Sequence, residues 1–164
     1  EGILLDLPIA QNISLPDLSA YASGGIVSPS REIAQGERSK KDLDIRAPNV
    51  NVRTGSLSGG NQQKVALAKW LAMNPRVMML DEPTRGIDVG AKAEIYRLMR
   101  GLADAGVAVL MISSDMEEVI GVSDRIAVMH EGRISGMLER DRFSEENVLM
   151  LAVGRMVPGG GATT

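Results

Sequence analysis

Two short stretches hold the residue types that could do chemistry. Asp81 and Glu82 follow the apolar run Val77-Met78-Met79-Leu80 and precede Pro83. A buried strand that ends in acids sets them beyond the carboxyl edge of a sheet, where open α/β sheets take their ligands. Side chains alternate along a strand, so the two acids are expected to face different ways and do different jobs. One can hold a hydrated divalent cation, and the other can orient or deprotonate an attacking water. Taken alone, the pair also fits a strand end that simply faces solvent. The second stretch is Leu57-Ser58-Gly59-Gly60-Asn61-Gln62-Gln63. Ser58 suits the N-cap of a following helix, and glycines let a ligand approach the backbone closely. The free N–H groups and positive dipole end of such a helix favour a phosphate. Alone, this stretch also reads as a loop and a cap.

The elements that must position these residues form a strand–helix alternation. A helix is expected over 58–73, with Val65, Ala68, Trp70, Leu71 and Ala72 as its apolar surface and Pro75 closing it. Val77–Leu80 is expected as a strand buried on both faces. A helix over 90–105 repeats apolar residues at Ile95, Leu98, Met99 and Leu102, and Gly106 stops it. A second buried strand, 107–112, follows, then a helix near 115–121, strands at 125–129 and 133–138 around the turn Glu131-Gly132, and a last helix over 144–152. Upstream, Pro8, Pro16, Pro29 and Pro48 interrupt a less regular stretch. A short helix near 9–15 and a charged, solvated helical face over 31–46 are expected there. The order argues an α/β layer with a mostly parallel sheet. Residues 1–56, 57–153 and a flexible tail 154–164 are the expected divisions.

Composition narrows the partners. The chain has 164 residues, enough for about one domain that buries roughly 70 % of its unfolded surface. Aromatics are 2 % of residues, so stacking platforms for single strands are not expected. Eighteen basic against 21 acidic residues leave a net charge of −3, which offers no nucleic-acid surface. No cysteine is present, which excludes disulfides, thiolate metal sites and a cysteine nucleophile. The longest apolar runs have six residues, against the roughly 20 of a membrane helix. The opening Glu1-Gly2-Ile3-Leu4-Leu5-Asp6 has no signal-peptide pattern and no initial Met, so a fragment or processed chain is expected.

Other polar residues read as structural. The one histidine, His130, precedes a glycine turn and is expected in a surface or packing role. Glu117-Glu118 and Glu145-Glu146 sit in first helical turns, where acids suit the dipole. Asn12-Ile13-Ser14 matches the glycosylation pattern without any sign of secretion. Met78, Met79, Met99, Met111 and Met129 are expected as core gap-fillers.

Together the two chemical stretches resemble an ATP-binding cassette (ABC) ATPase over most of residues 1–154. Leu57 to Lys64 is similar to the signature motif, and Val77 to Glu82 to the Walker B strand, with Glu82 as the catalytic glutamate. Gly86-Ile87-Asp88 resembles the D-loop, and Val109 to Asp115 the strand entering the H-loop, with Ser114 at the histidine position. Asn61 in the signature, the phrase from Asp81 to Lys92, and Ser113-Ser114-Asp115 resemble the second half of duplicated sugar-import ATPases. The fold so implied is an incomplete P-loop NTPase (RecA-like) core with part of the helical subdomain before it.

The resemblance implies that Ser58, Gly59, Gly60 and Gln62 meet the γ-phosphate of ATP bound on a partner ATPase half. Asp81 would serve Mg2+, Glu82 the attacking water, and Asp88 and Ser114 the nucleotide site. Membrane permease subunits and, indirectly, a periplasmic sugar-binding protein are the implied partners, at the cytoplasmic face of the inner membrane. Gly60 is expected at the closest approach to phosphate, so that Gly60→Asp leaves folding intact. The pattern Gly-x-x-x-x-Gly-Lys-Ser/Thr is missing, so the chain alone is expected to be inactive. The alternatives are a catalytically silent dimerisation or regulatory module derived from such an ATPase, and a non-transport ABC ATPase acting on DNA or ribosomes.

Overall fold

The computed structural model describes residues 2–157. The chain runs α1 (Ile9–Ser14), α2 (Leu18–Tyr21), the ribbon β1 (Ala22–Ser23) and β2 (Ile26–Val27), α3 (Pro29–Asp42), α4 (Gly59–Leu71), β3 (Val77–Asp81), α5 (Val89–Asp104), β4 (Ala108–Ile112), α6 (Met116–Val122), β5 (Arg125–His130), β6 (Arg133–Glu139) and α7 (Glu145–Ala152). It divides into a first unit ending at Met111 and a second beginning at Ile112.

The expected division at 56/57 is not where the units part. Ile9, Ala10 and Ile13 put a fully buried face on α1, which packs against both α3 and α4. The backbone of α1 is tied to the loop before α4 by Ile9 N–H to Val52 O (3.2 Å) and Ala10 N–H to Val50 O (3.0 Å). Helices on either side of residue 56 therefore share one aliphatic core. Gly36 lets α3 come close, since a Cβ there would lie 3.1 Å from that of Ala10 and 3.3 Å from that of Val50. Asn12, at 0 % exposure, joins the polar backbone inside this core. Its Oδ1 accepts from Leu4 N–H (2.8 Å), and its Nδ2 donates to Leu4 O (2.8 Å) and Thr54 Oγ1 (2.9 Å). A residue so enclosed is no glycosylation acceptor.

β3 and β4 are neighbours in a two-stranded sheet, joined through α5, the crossover that a parallel pair requires. The expectation of two buried faces fails. Met78 and Leu80 are buried, but Val77, Leu110 and Ile112 are exposed and Met79 is 71 % exposed. Among the described residues one face of each strand is covered and the other is not. Trp70 is also exposed rather than packed, with Lys69 Nζ 5.2 Å from its ring centre. Of the five methionines expected as gap-fillers, Met78 and Met99 are buried, while Met79 and Met129 face out.

In the second unit β5 and β6 form an antiparallel hairpin with an irregularity at Val128/Met129. Glu131 and Gly132 turn it with φ of 46° and 77°, the left-handed pair of a two-residue hairpin loop. α7 covers the hairpin, and Ile126, Val128, Leu138, Val148, Leu151 and Val157 form the core. Val157 is thus packed, which removes residues up to 157 from the expected flexible tail; 158–164 lie outside the described residues. Of the two roles expected for His130 the structure has packing, its Nδ1–H donating to Ala152 O at 2.8 Å.

Asn12→Ala should take from Leu4 N–H its Oδ1 acceptor and remove one of the partners of Leu4 O and of the Thr54 hydroxyl, which keep Leu7 N–H and Leu7 O. A loss of about 1–3 kcal/mol is expected, read as a lower urea midpoint.

Candidate functional site

The acids at the end of β3 do not divide by simple strand alternation. Asp81 is the last strand residue and is exposed. At Glu82 the backbone turns to φ 46°, so the alternation stops one residue earlier than expected. This region costs a non-glycine residue roughly 1–2 kcal/mol, and a following proline restricts the residue before it further. Two buried neighbours, Pro83 and Thr84, hold the turn, and Arg85 N–H closes it on Glu82 O at 3.2 Å. Strained backbone of this kind persists where the surroundings over-determine it, and it clusters at active sites.

Asp88 lies in the loop that follows and caps α5, its carboxylate accepting from Ala91 N–H at 3.0 Å. Among the described residues no group of three or more His, Asp or Glu side chains could hold a metal ion. A magnesium ion carried with nucleotide phosphates needs only one or two carboxylates, with waters completing its shell. Exposed Asp81 fits that need.

Ser58 is the N-cap of α4 by position, but its side chain makes no capping hydrogen bond. Its Oγ instead accepts from Asn61 Nδ2 at 3.0 Å. Asn61 Oδ1 in turn accepts Arg46 N–H at 2.8 Å. Gln62 Nε2 donates to Leu57 O at 2.9 Å, bracing the same loop. Ser58 and Gly59 are exposed at this helix end.

The two glycines have different causes. A Cβ on Gly59 would meet only Ile87 Cγ2, at an ordinary 3.6 Å. No described contact within this chain requires glycine there. A Cβ on Gly60 would lie 2.7 Å from Ala91 Cβ. That contact overturns the expectation that Gly60→Asp folds normally, because the side chain would drive α4 off α5 before any ligand was involved. Ser114 is exposed and belongs to the second unit. Beside it Ser113 donates to the buried Glu118 carboxylate, and Asp115 caps α6 through Glu118 N–H at 3.2 Å.

Sequence reasoning missed an ionic cluster on α4. Lys64 is 3 % exposed, with Nζ 2.7 Å from Glu94 Oε2 and 2.8 Å from Asp44 O. Arg46 NH2 lies 3.2 Å from the other oxygen of Glu94. The hydrogen bond from Lys64, then its charge and that of Arg46, hold the Glu94 carboxyl below its ordinary value of 4.5. The sequence shows only that Asn61 and Lys64 are i and i+3 on one helical face, which does not name Glu94 as the partner.

A family model described as ABC transporter matches residues 9–85. The ribose import ATP-binding protein RbsA of Lactococcus lactis is 49 % identical over 154 residues, 94 % of this chain and 31 % of that protein. RbsA of Bacillus subtilis is 48 % identical over the same shares. The chain belongs to the ABC transporter ATP-binding family. It spans about a third of the length of these relatives. A dimeric ATP-binding cassette in a post-hydrolysis state, bound to ADP and phosphate, superimposes with a TM-score of 0.69 at 25 % identity, covering 86 % of this chain and 60 % of that one. An ATP-binding cassette of another ABC transporter, 20 % identical, shares the fold with a TM-score of 0.74 over 92 % of this chain and 64 % of its own. The cassette fold is therefore the α/β fold expected from the sequence.

Two measurements test this geometry. Gly60→Ala should destabilise the chain by about 1–3 kcal/mol through overpacking, while Gly59→Ala should be neutral or stabilising by up to about 1 kcal/mol, both read by urea unfolding. Glu94 is held below its ordinary 4.5, so its pairing contributes stability that is complete above that value and lost as pH falls through its lower folded value. Glu94→Gln should flatten that part of the stability profile below pH 4.5.

Proposed function

We propose that the chain acts as the signature, Walker B and D-loop portion of the ATP-hydrolysing subunit of a sugar importer, of the ribose-import class. The observation that carries this reading is the backbone at Glu82. The chain holds an acid in a costly conformation directly beyond the carboxyl end of β3, beside Asp81. The exposed apolar faces of β3 and β4 support a larger cassette in which further core covers them.

Within that cassette ATP and Mg2+ would supply the phosphoryl group and its counter-charge. Glu82 would orient a water and take its proton, and Asp81 would hold the hydrated cation. The exposed end of α4, with Ser58 and Gly59, would present N–H groups and the positive helix dipole to a γ-phosphate held on the other ATPase half. Gln62 would keep that loop in place through Leu57 O, and Asp88 would stand at the interface between halves. Ser114 cannot shuttle protons as a histidine does, so the two composite sites of the dimer would differ in rate. Permease subunits would take up the closing motion, with a periplasmic sugar-binding protein delivering the sugar. The subunit would then sit at the cytoplasmic face of the membrane. Among the described residues no helix is long and apolar enough to cross it.

Glu82→Gln in the complete transporter tests the reading. It removes the base and keeps the shape, so ATP affinity should persist while turnover at this half falls by about 10² to 10⁴. Hydrolysis unchanged at saturating ATP would remove Glu82 from the chemistry and favour a silent module.

A further inference from the structure

The signature end of α4 and the D-loop end of α5 meet through one methyl group. Ala91 takes part in two contacts at once. Its N–H is held by the Asp88 carboxylate at 3.0 Å, and its Cβ occupies the space where a side chain on Gly60 would stand. One helical turn further, the same two faces meet again. Lys64 is four residues beyond Gly60 and Glu94 three beyond Ala91, and their charged groups lie 2.7 Å apart. Lys64 is buried, so this second contact cannot slide without stranding an ammonium group away from its anion. A steric stop and an ionic clamp, one turn apart, set both the distance and the register of α4 on α5.

We propose that Ala91 is a positioning residue for ATP turnover: against Gly60, and clamped by Lys64–Glu94, it makes the Ser58–Gly59 end of α4 and the Asp88 end of α5 one rigid face. This rests on the function proposed above. It also gives the glycine at position 60 a packing reason inside this chain, whatever its backbone N–H meets outside it. A methyl gained at 60 should be tolerated once a methyl is lost at 91.

The test is a methyl exchange in the complete subunit, assembled with its permeases, reading kcat and KM for ATP. Gly60→Ala should lower kcat at least tenfold with KM changed less than threefold. Adding Ala91→Gly should return kcat to within threefold of the unmutated protein, a rescue that general loss of structure would not give. Urea unfolding of the same variants reads the contact without nucleotide. The midpoint should fall with Gly60→Ala and recover in the double variant. If the double variant stays as slow as Gly60→Ala while its unfolding midpoint recovers, position 60 is reserved for something outside this contact and the proposal is overturned, with the ATPase reading intact. If Gly60→Ala changes neither kcat nor the midpoint, the proposal is likewise overturned. If the unmutated subunit turns over no ATP, the function reading is what fails, and the absence of turnover removes Ala91 from any role in it.

Discussion

A buried ammonium must find an anion, and Lys64 finds Glu94. Much of the first unit's site geometry follows from that pairing. Lys64 is fixed to α4, Glu94 to α5, and Asp44 O and Arg46 bring the preceding loop to the same point. Removing one partner from such a pair leaves an uncompensated charge, which is far more costly than never having had the pair. Helix α4 and the helix capped by Asp88 are therefore constrained together. The Gly60–Ala91 contact then sets how closely they approach.

That constraint separates the residues of the site into two kinds. Gly60, Asn61, Gln62 and Asp88 are all occupied within the chain: by Ala91, by Ser58 and Arg46, by Leu57 O and by Ala91 N–H. They build the frame. Ser58 and Gly59 stand at its exposed end, and Asp81 is exposed at the end of β3. A phosphate site made from backbone N–H groups gains from such a division, because donors held in place before the ligand arrives cost no reorganisation.

Glu82 belongs to neither kind. A left-handed glutamate before a proline is a local conflict, and it sits beside the buried Pro83 and Thr84. The cost is tolerable because the cores on either side of it are ordinary aliphatic packing. Ile9, Ile13, Val50, Val65 and Ile95 each have 1 % exposure or less. The sheet shows the converse. Its outward apolar residues, Met79 among them, are as hydrophobic as a covered face would be, yet nothing described here covers them. Such a surface suits an element that is one part of a larger core.

Local patterns were enough to place most elements and the chemistry. Apolar spacing placed α4, α5, α6 and α7 to within a few residues, because one-sided burial writes a 3.6-residue period into the sequence. Glu131-Gly132 announced the hairpin, and the phrases around Ser58 and Asp81 announced the cassette family, because turn conformation and phosphate chemistry admit few residue types. The rest depended on residues distant in sequence. Nothing around Lys64 points to Glu94, and nothing around Gly60 distinguishes a glycine that spares Ala91 from one that admits a ligand. The apolar run Val77–Leu80 reads the same whether one face is covered or two. The unit boundary at 111/112, the burial of Asn12 and the left-handed turn at Glu82 are likewise decisions of packing. Hydrophobic period and turn chemistry are properties of neighbours along the chain. Charge pairing, steric stops and strain are properties of neighbours in space, and only the folded structure names those.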